Sequence, residues 1–154
     1  DIEFILMQRK PGGYRKPTIK QREESRIGKE DFNRWFRQIW NITGASTKQH
    51  PAPFPMELAN RLVRMFSFTG DTVLDPFCGS GTTMIAAFRT GRNSIGVEID
   101  PEYCRMAARF LKAESANLFS TAELRFEKIA TETANLISED QALYELRPAK
   151  KRLE

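Results

Sequence analysis

Cysteine and histidine are scarce in this chain, and that scarcity removes several classes of protein. The two cysteines, Cys78 and Cys104, have neither metal-ligand spacing nor a disulfide framework around them. His50 is the only histidine, and no base or metal partner accompanies it in the sequence. A metal site is therefore not expected, and a reduced, cytoplasmic setting is the simplest reading. No apolar run reaches membrane length and no signal-peptide pattern is present, so no membrane partner is expected. Internal repeats and low-complexity segments are also lacking.

The 154 residues suffice for one domain or a large part of one, and 40% apolar residues suffice for a packed core. The net charge is +4 and the pI about 9.2, a mild bias toward anionic partners. The distribution is more informative than the total. From Arg9 to Arg37 there are ten Lys or Arg against four Asp or Glu, interleaved with Tyr14, Phe32, Trp35 and Phe36. Cations beside aromatics suit phosphate contact with base stacking; the competing reading is a solvated surface loop. Trp35 and Trp40 are read first as core anchors.

Ile2–Met7 is a short apolar run expected to form a strand, ended by Pro11, Gly12 and Gly13. Residues 14–30 are expected to be loop, with one short helix between Asp31 and Trp40. Three prolines between Pro51 and Pro55 exclude a helix there. From Met56, apolar residues at Leu58, Leu62, Met65 and Phe66 predict an amphipathic helix, with Gly70 as its C-cap. A strand over Thr72–Leu74, a helix over Thr82–Arg89 ended by Gly91, and a strand over Ser94–Ile99 follow. Asp100 and Pro101 then open a helix. Strand, helix, strand and helix with short links predict a parallel βαβ unit. Residues 120–146 are expected to be helical and the tail frayed.

The turn between the first strand and helix of that unit, Asp75-Pro-Phe-Cys-Gly-Ser-Gly-Thr-Thr83, carries the chemistry. Small residues let backbone approach a polar ligand at a helix N-terminus. No lysine follows Gly81, so a triphosphate loop is excluded. The third glycine of a dinucleotide loop is missing, and Asp75 would repel a pyrophosphate but suits an ammonium group. Glu98 stands 19 residues beyond Gly79, at the tip of the next strand, where an acid takes ribose hydroxyls. A ribose with a cationic, phosphate-free tail describes S-adenosylmethionine. Ser80 and Thr82 are expected to cap the helix and touch the ligand carboxylate. Ile99 is expected against the adenine, with ordinary core as the alternative, and Phe77 either covers the ligand or fills the core. Cys78 has no adjacent proline and is not expected to be a nucleophile.

The nine-residue turn resembles the cofactor motif of the DNA methyltransferases that modify adenine N6 or cytosine N4. His50-Pro-Ala-Pro-Phe-Pro with Glu57-Leu58, Gly91-Arg92, and Gly96-Val-Glu-Ile-Asp100 with Tyr103 resemble the segments that flank that motif. Phe4–Gly12 resembles the strand and Lys-Pro-Gly turn that end the family's catalytic half. The resemblance covers roughly Ile2–Leu111. It implies a Rossmann-like α/β methyltransferase fold and S-adenosylmethionine as cofactor, bound by Asp75, Pro76, Phe77, Gly79, Ser80, Gly81, Thr82, Glu98 and Ile99, with His50 and Pro51 in the pocket wall. The order of the pieces is similar to that of the permuted subclass, in which a DNA-recognition insert precedes the cofactor half. That order implies double-stranded DNA as partner, contacted by Arg15, Lys16, Lys20, Arg22 and Arg34.

The family's catalytic Asp/Asn/Ser-Pro-Pro-aromatic motif is absent from the sequence, so no catalytic residue is expected here. With Asp1 rather than Met at the start, the chain is expected to be the carboxyl-terminal half of a longer enzyme, its N-terminal catalytic half missing, and inactive alone. Either that half or a complementing subunit would complete it, and a homodimer is a further possible assembly. The expected division is residues 1–12 as the last strand of the catalytic half, 13–40 as the basic DNA-recognition insert, 41–119 as the cofactor-binding βαβ region and 120–154 as a helical extension and tail. The implied activity is site-specific DNA methylation, as in restriction-modification. The alternatives are an inactive nucleic-acid-binding module that keeps the fold, or an RNA methyltransferase.

Overall fold

The computed structural model describes residues 2–44, 55–116 and 123–127. The chain divides into two units, Asp1–Ala122 and Glu123–Glu154. In the second, residues 123–127 are described; they form no helix, and Arg125 pairs with Glu123 at 2.8 Å. The rest of the helix expected over 120–146 lies outside the described residues.

The first unit contains α1 (Ile19–Glu24), α2 (Lys29–Trp35), α3 (Met56–Phe66), β1 (Thr72–Asp75), α4 (Thr82–Arg89), β2 (Asn93–Gly96) and α5 (Pro101–Ser115). The strands pair in parallel, Thr72 opposite Asn93 through Asp75 opposite Gly96, with α4 as the crossover. This is the βαβ unit expected from the alternation of elements. Leu74 and Ile95 face each other in register and are 62% and 55% exposed. Val73, of opposite parity, packs into the core, so Leu74 and Ile95 mark the open face of the sheet.

The core lies between α3, α4 and β1. Ala59 and Val63 of α3 meet Ala86 and Ala87 of α4, with Met56 and Val73 packed against them. Ala86 and Ala87 are fully buried, and their small side chains let the two helices come close. α5 begins as its sequence predicts: the Asp100 side chain accepts the Glu102 N–H, and Pro101 occupies the first helical position.

Four expectations are corrected. Ile2–Met7 forms no strand; Ile2, Phe4 and Leu6 are exposed, because a strand requires a partner ladder and β1 and β2 are the paired strands among the described residues. Residues 14–30 are not all loop. Thr18 and Gln21 form a reciprocal capping box that starts α1, and α2 begins at Lys29. β2 ends at Gly96 rather than Ile99, because beyond it the chain turns to meet the β1–α4 loop. Gly70 is not the cap of α3, which closes at Ser67. With φ of +81°, Gly70 instead turns the chain into β1, its N–H bonded to the Gly91 carbonyl at 2.8 Å.

Candidate cofactor site

At the carboxyl ends of the two strands, three successive hydrogen bonds join the β1–α4 turn to the tip of β2. Val97 N–H donates to the Asp75 carbonyl (2.9 Å), Cys78 N–H to the Val97 carbonyl (3.0 Å), and Gly79 N–H to Glu98 Oε2 (2.8 Å). The other Glu98 oxygen accepts the Asp100 N–H at 2.9 Å. Asp75 Oδ1 accepts the Phe77 N–H at 3.1 Å, a local turn that starts the loop. Gly79 and Gly81 have φ of +50° and +87°, values that side-chain-bearing residues rarely adopt. The turn is thus shaped by its own backbone and by both acids.

Gly81 is the N-cap of α4 and no side chain caps that helix. The expectation that Ser80 and Thr82 cap it is corrected: a left-handed glycine already sets the entry angle. The first-turn N–H groups of α4 therefore have no side-chain partner among the described residues, and with the helix dipole they favour a carboxylate. Phe77 and Ile99 are 89% and 97% exposed, so neither fills the core. Pro76 is exposed beside them. His50 and Pro51 lie outside the described residues.

Beneath the turn, Cys78 is buried. Burial, and then the negative charges of Asp75 and Glu98, push its thiol up to about 11. It stays protonated at neutral pH and is no nucleophile. Gly96 allows this packing. A Cβ there would lie 2.9 Å from Cys78 Sγ and 2.8 Å from Met84 Cε, with Met84 Sδ closer still. Gly96 stands in a segment that carries the family resemblance, but sequence reasoning missed its packing role beneath the turn. A lone glycine inside a strand pattern was the available signal of close approach.

The basic stretch sits elsewhere. Arg15 pairs with Asp71, at the start of β1 rather than its end. Gln21 donates to the Thr69 carbonyl (3.0 Å) and Ser25 bonds Thr69, which anchors α1 to the loop before β1. Lys20 pairs with Glu24 at 3.7 Å and Arg34 with Asp31 at 2.8 Å, while Lys16 and Arg22 are exposed without an ion pair among the described residues. Trp35 is buried under the Arg64 guanidinium (4.8 Å), and Arg61 lies over Trp40 (5.4 Å). Two tryptophan–arginine contacts therefore seat α2 and the residues after it on α3. The structure does not bring Arg15, Lys20 and Arg34 to the carboxyl ends of the strands.

A parallel βαβ unit with a glycine turn at its switch and an acid at the second strand tip defines a nucleoside-cofactor-binding fold of Rossmann type. The DNA methylase family of amino-methylating (N6/N4) enzymes matches residues 1–109 of this chain. The chain belongs to that family. It is 51% identical over 108 residues to the type II methyltransferase M.MjaI of Methanocaldococcus jannaschii, covering 65% of this chain and 35% of the relative. It is 45% identical over 112 residues to the type II methyltransferase M.MthZI of Methanothermobacter thermautotrophicus, covering 66% and 32%. Among solved structures it resembles TTHA0409 of Thermus thermophilus, assigned as a DNA modification methylase and complexed with S-adenosyl-L-methionine. There the TM-score is 0.62 and the identity 56%, covering 76% of this chain and 45% of the other. The chain spans about a third of the length of the two curated relatives.

Proposed function

We propose that this chain forms the S-adenosylmethionine cradle of a site-specific DNA methyltransferase that modifies adenine N6 or cytosine N4. The observation that carries the reading is the pair of acids at neighbouring strand tips, Asp75 and Glu98, framing a glycine turn and a helix N-terminus that no side chain caps. The chemistry of this donor set fits the cofactor. Each Glu98 oxygen is met by one backbone N–H, which leaves acceptor capacity for ribose hydroxyls. Asp75 offers a carboxylate to the cofactor ammonium, and the first turn of α4 offers N–H groups to its carboxylate. Phe77 and Ile99 offer exposed apolar surface to the adenine.

When bound, S-adenosylmethionine supplies a methyl group activated by its sulfonium. The residues of this chain orient that group; they neither take up nor deliver a proton. The amine-accepting residues and the fold of the complete enzyme come from a catalytic half outside this chain, in the same polypeptide or in a complementing subunit. This chain alone is then inactive. Double-stranded DNA is the proposed partner, with Lys16 and Arg22 the most available of the basic residues. Arg15, Lys20 and Arg34 are each paired with an acid but remain more than half exposed, with further donors free for phosphate.

Isothermal titration with S-adenosylmethionine tests the reading. D75A and E98A should each weaken binding by about tenfold to a hundredfold, the loss of one or two charge-assisted hydrogen bonds. Unchanged affinity in both variants would reject the site. Tritium-labelled methyl transfer by the intact protein, with duplex DNA and RNA in competition, tests the substrate.

A further inference from the structure

At the opposite end of the strands, α1, α3 and the α4–β2 turn border an open polar depression of about 370 Å³, lined by Glu24, Asn60, Arg64, Arg89, Thr90 and Arg92. Its charges do not balance. Arg89 is held bidentately by Glu114, at 2.7 and 2.8 Å. Glu24 pairs with Lys20, and Arg64 with Asp31 at 3.7 Å. Arg92 alone among these has no carboxylate within ion-pairing distance among the described residues, although it is only 7% exposed. All its bonds go to neutral oxygens: the Ser67 carbonyl (2.9 Å) and hydroxyl (3.3 Å), the Thr69 hydroxyl (3.5 Å) and the Thr90 carbonyl. Asp71, a carboxylate whose charge acts on it, is paired with Arg15.

A buried charge without a direct ion pair is costly, and proteins pair such groups or bind an ion to them. Arg64 adds to the imbalance, because its charge repels that of Arg92 across the depression. Asn60 supplies an independent sign that something polar belongs there. Its side-chain oxygen is buried without a hydrogen-bond partner among the described residues, and Asn60 lines the same depression. Amide oxygen and nitrogen positions can exchange by rotation, so Asn60 can turn a donor to an anion or an acceptor to a protonated one.

We propose that this depression binds a phosphate group, held by Arg64, Asn60 and the remaining donor of Arg92. The site lies at the amino ends of the strands, so it is distinct from the cofactor cradle and stands or falls independently of it. Two sources share this chemistry, free phosphate and the backbone of a nucleic acid passing along α1.

The test uses the intact protein, with inorganic phosphate as probe, and follows binding by isothermal titration and thermal unfolding at matched ionic strength. Phosphate should bind the wild type and raise its unfolding temperature. R64Q and N60A should each weaken phosphate binding, R64Q by about tenfold, the worth of one charge-assisted hydrogen bond, while S-adenosylmethionine affinity stays unchanged. Lower salt dependence of non-specific duplex binding in R64Q would identify the backbone as the source, and unchanged duplex binding would identify the free anion; either supports the site. Absence of phosphate binding in the wild type, or equal binding in wild type, R64Q and N60A, would overturn it.

Discussion

The two ends of the same short parallel strands are held by different means. At the amino ends, long side chains reach between elements: Arg15 to Asp71, Gln21 and Ser25 to Thr69, and Arg92 to the carbonyls that close α3 and α4. At the carboxyl ends, backbone holds backbone, and the side chains involved are the two acids and a buried thiol. The first arrangement ties α1 to the loop before β1. The second leaves a glycine turn whose two half-buried acids accept backbone N–H groups, with the exposed apolar side chains of Phe77 and Ile99 nearby. Side-chain ties between elements at one end and backbone lacing around the proposed cofactor turn at the other should respond differently to substitution.

The largest effect is expected at the amino end. R92M removes every donor from the Ser67 and Thr90 carbonyls inside the fold. Unpaired, partly buried acceptors together with the lost Arg92 packing should lower the unfolding free energy by about 2 kcal/mol, measured by urea unfolding of the intact protein. The affinity for S-adenosylmethionine of the folded fraction should be unchanged. A large loss of affinity with intact stability would break the division between the ends.

A stability effect no larger, now joined to a binding effect, is expected from G96A. The added methyl would collide with Met84 and Cys78, which underlie the cofactor turn. Overpacking of this kind costs about 2 kcal/mol, and relief of the clash must shift Cys78, whose N–H is part of the lacing to β2. Calorimetric titration should therefore find weaker cofactor binding together with a lower urea midpoint. If only stability changes, the turn is less dependent on β2 than the hydrogen bonds indicate.

The carboxyl end was also the more legible in sequence. The glycines, Asp75, Glu98, and the Asp100–Pro101 start of α5 follow local rules, and α4 spans the predicted residues Thr82–Arg89. The amino end was not legible, because its order depends on contacts between residues far apart in the chain. The tie of Gln21 to Thr69 spans 48 positions and that of Arg15 to Asp71 spans 56. One local signal was overlooked. Thr18-Ile-Lys-Gln21 is a capping box, hidden in a stretch read for its charge. Ile2–Met7 shows the converse, since an apolar run states that burial is needed without stating what supplies it.

The smallest effect concerns acid stability, and it probes the amino end through Asp71. Burial alone would push this carboxyl up. The hydrogen bonds from Arg15 and the Phe68 N–H, with the charges of Arg15 and Arg92, outweigh it and hold the group below the ordinary Asp value. A carboxyl depressed in the folded state adds stability above its unfolded pKa of about 3.9, and that stability is lost as pH falls through the lower folded value. Glu114, depressed by its bond to Arg89, acts in the same direction. Wild-type unfolding free energy should therefore decline as pH drops below about 4. D71N should be less stable than wild type at neutral pH and should show a shallower decline in acid, while retaining its affinity for S-adenosylmethionine. An unaltered acid profile in D71N would mean that the tie between Arg15 and Asp71 adds nothing to stability, and that the anchoring of α1 rests on Gln21 and Ser25 alone.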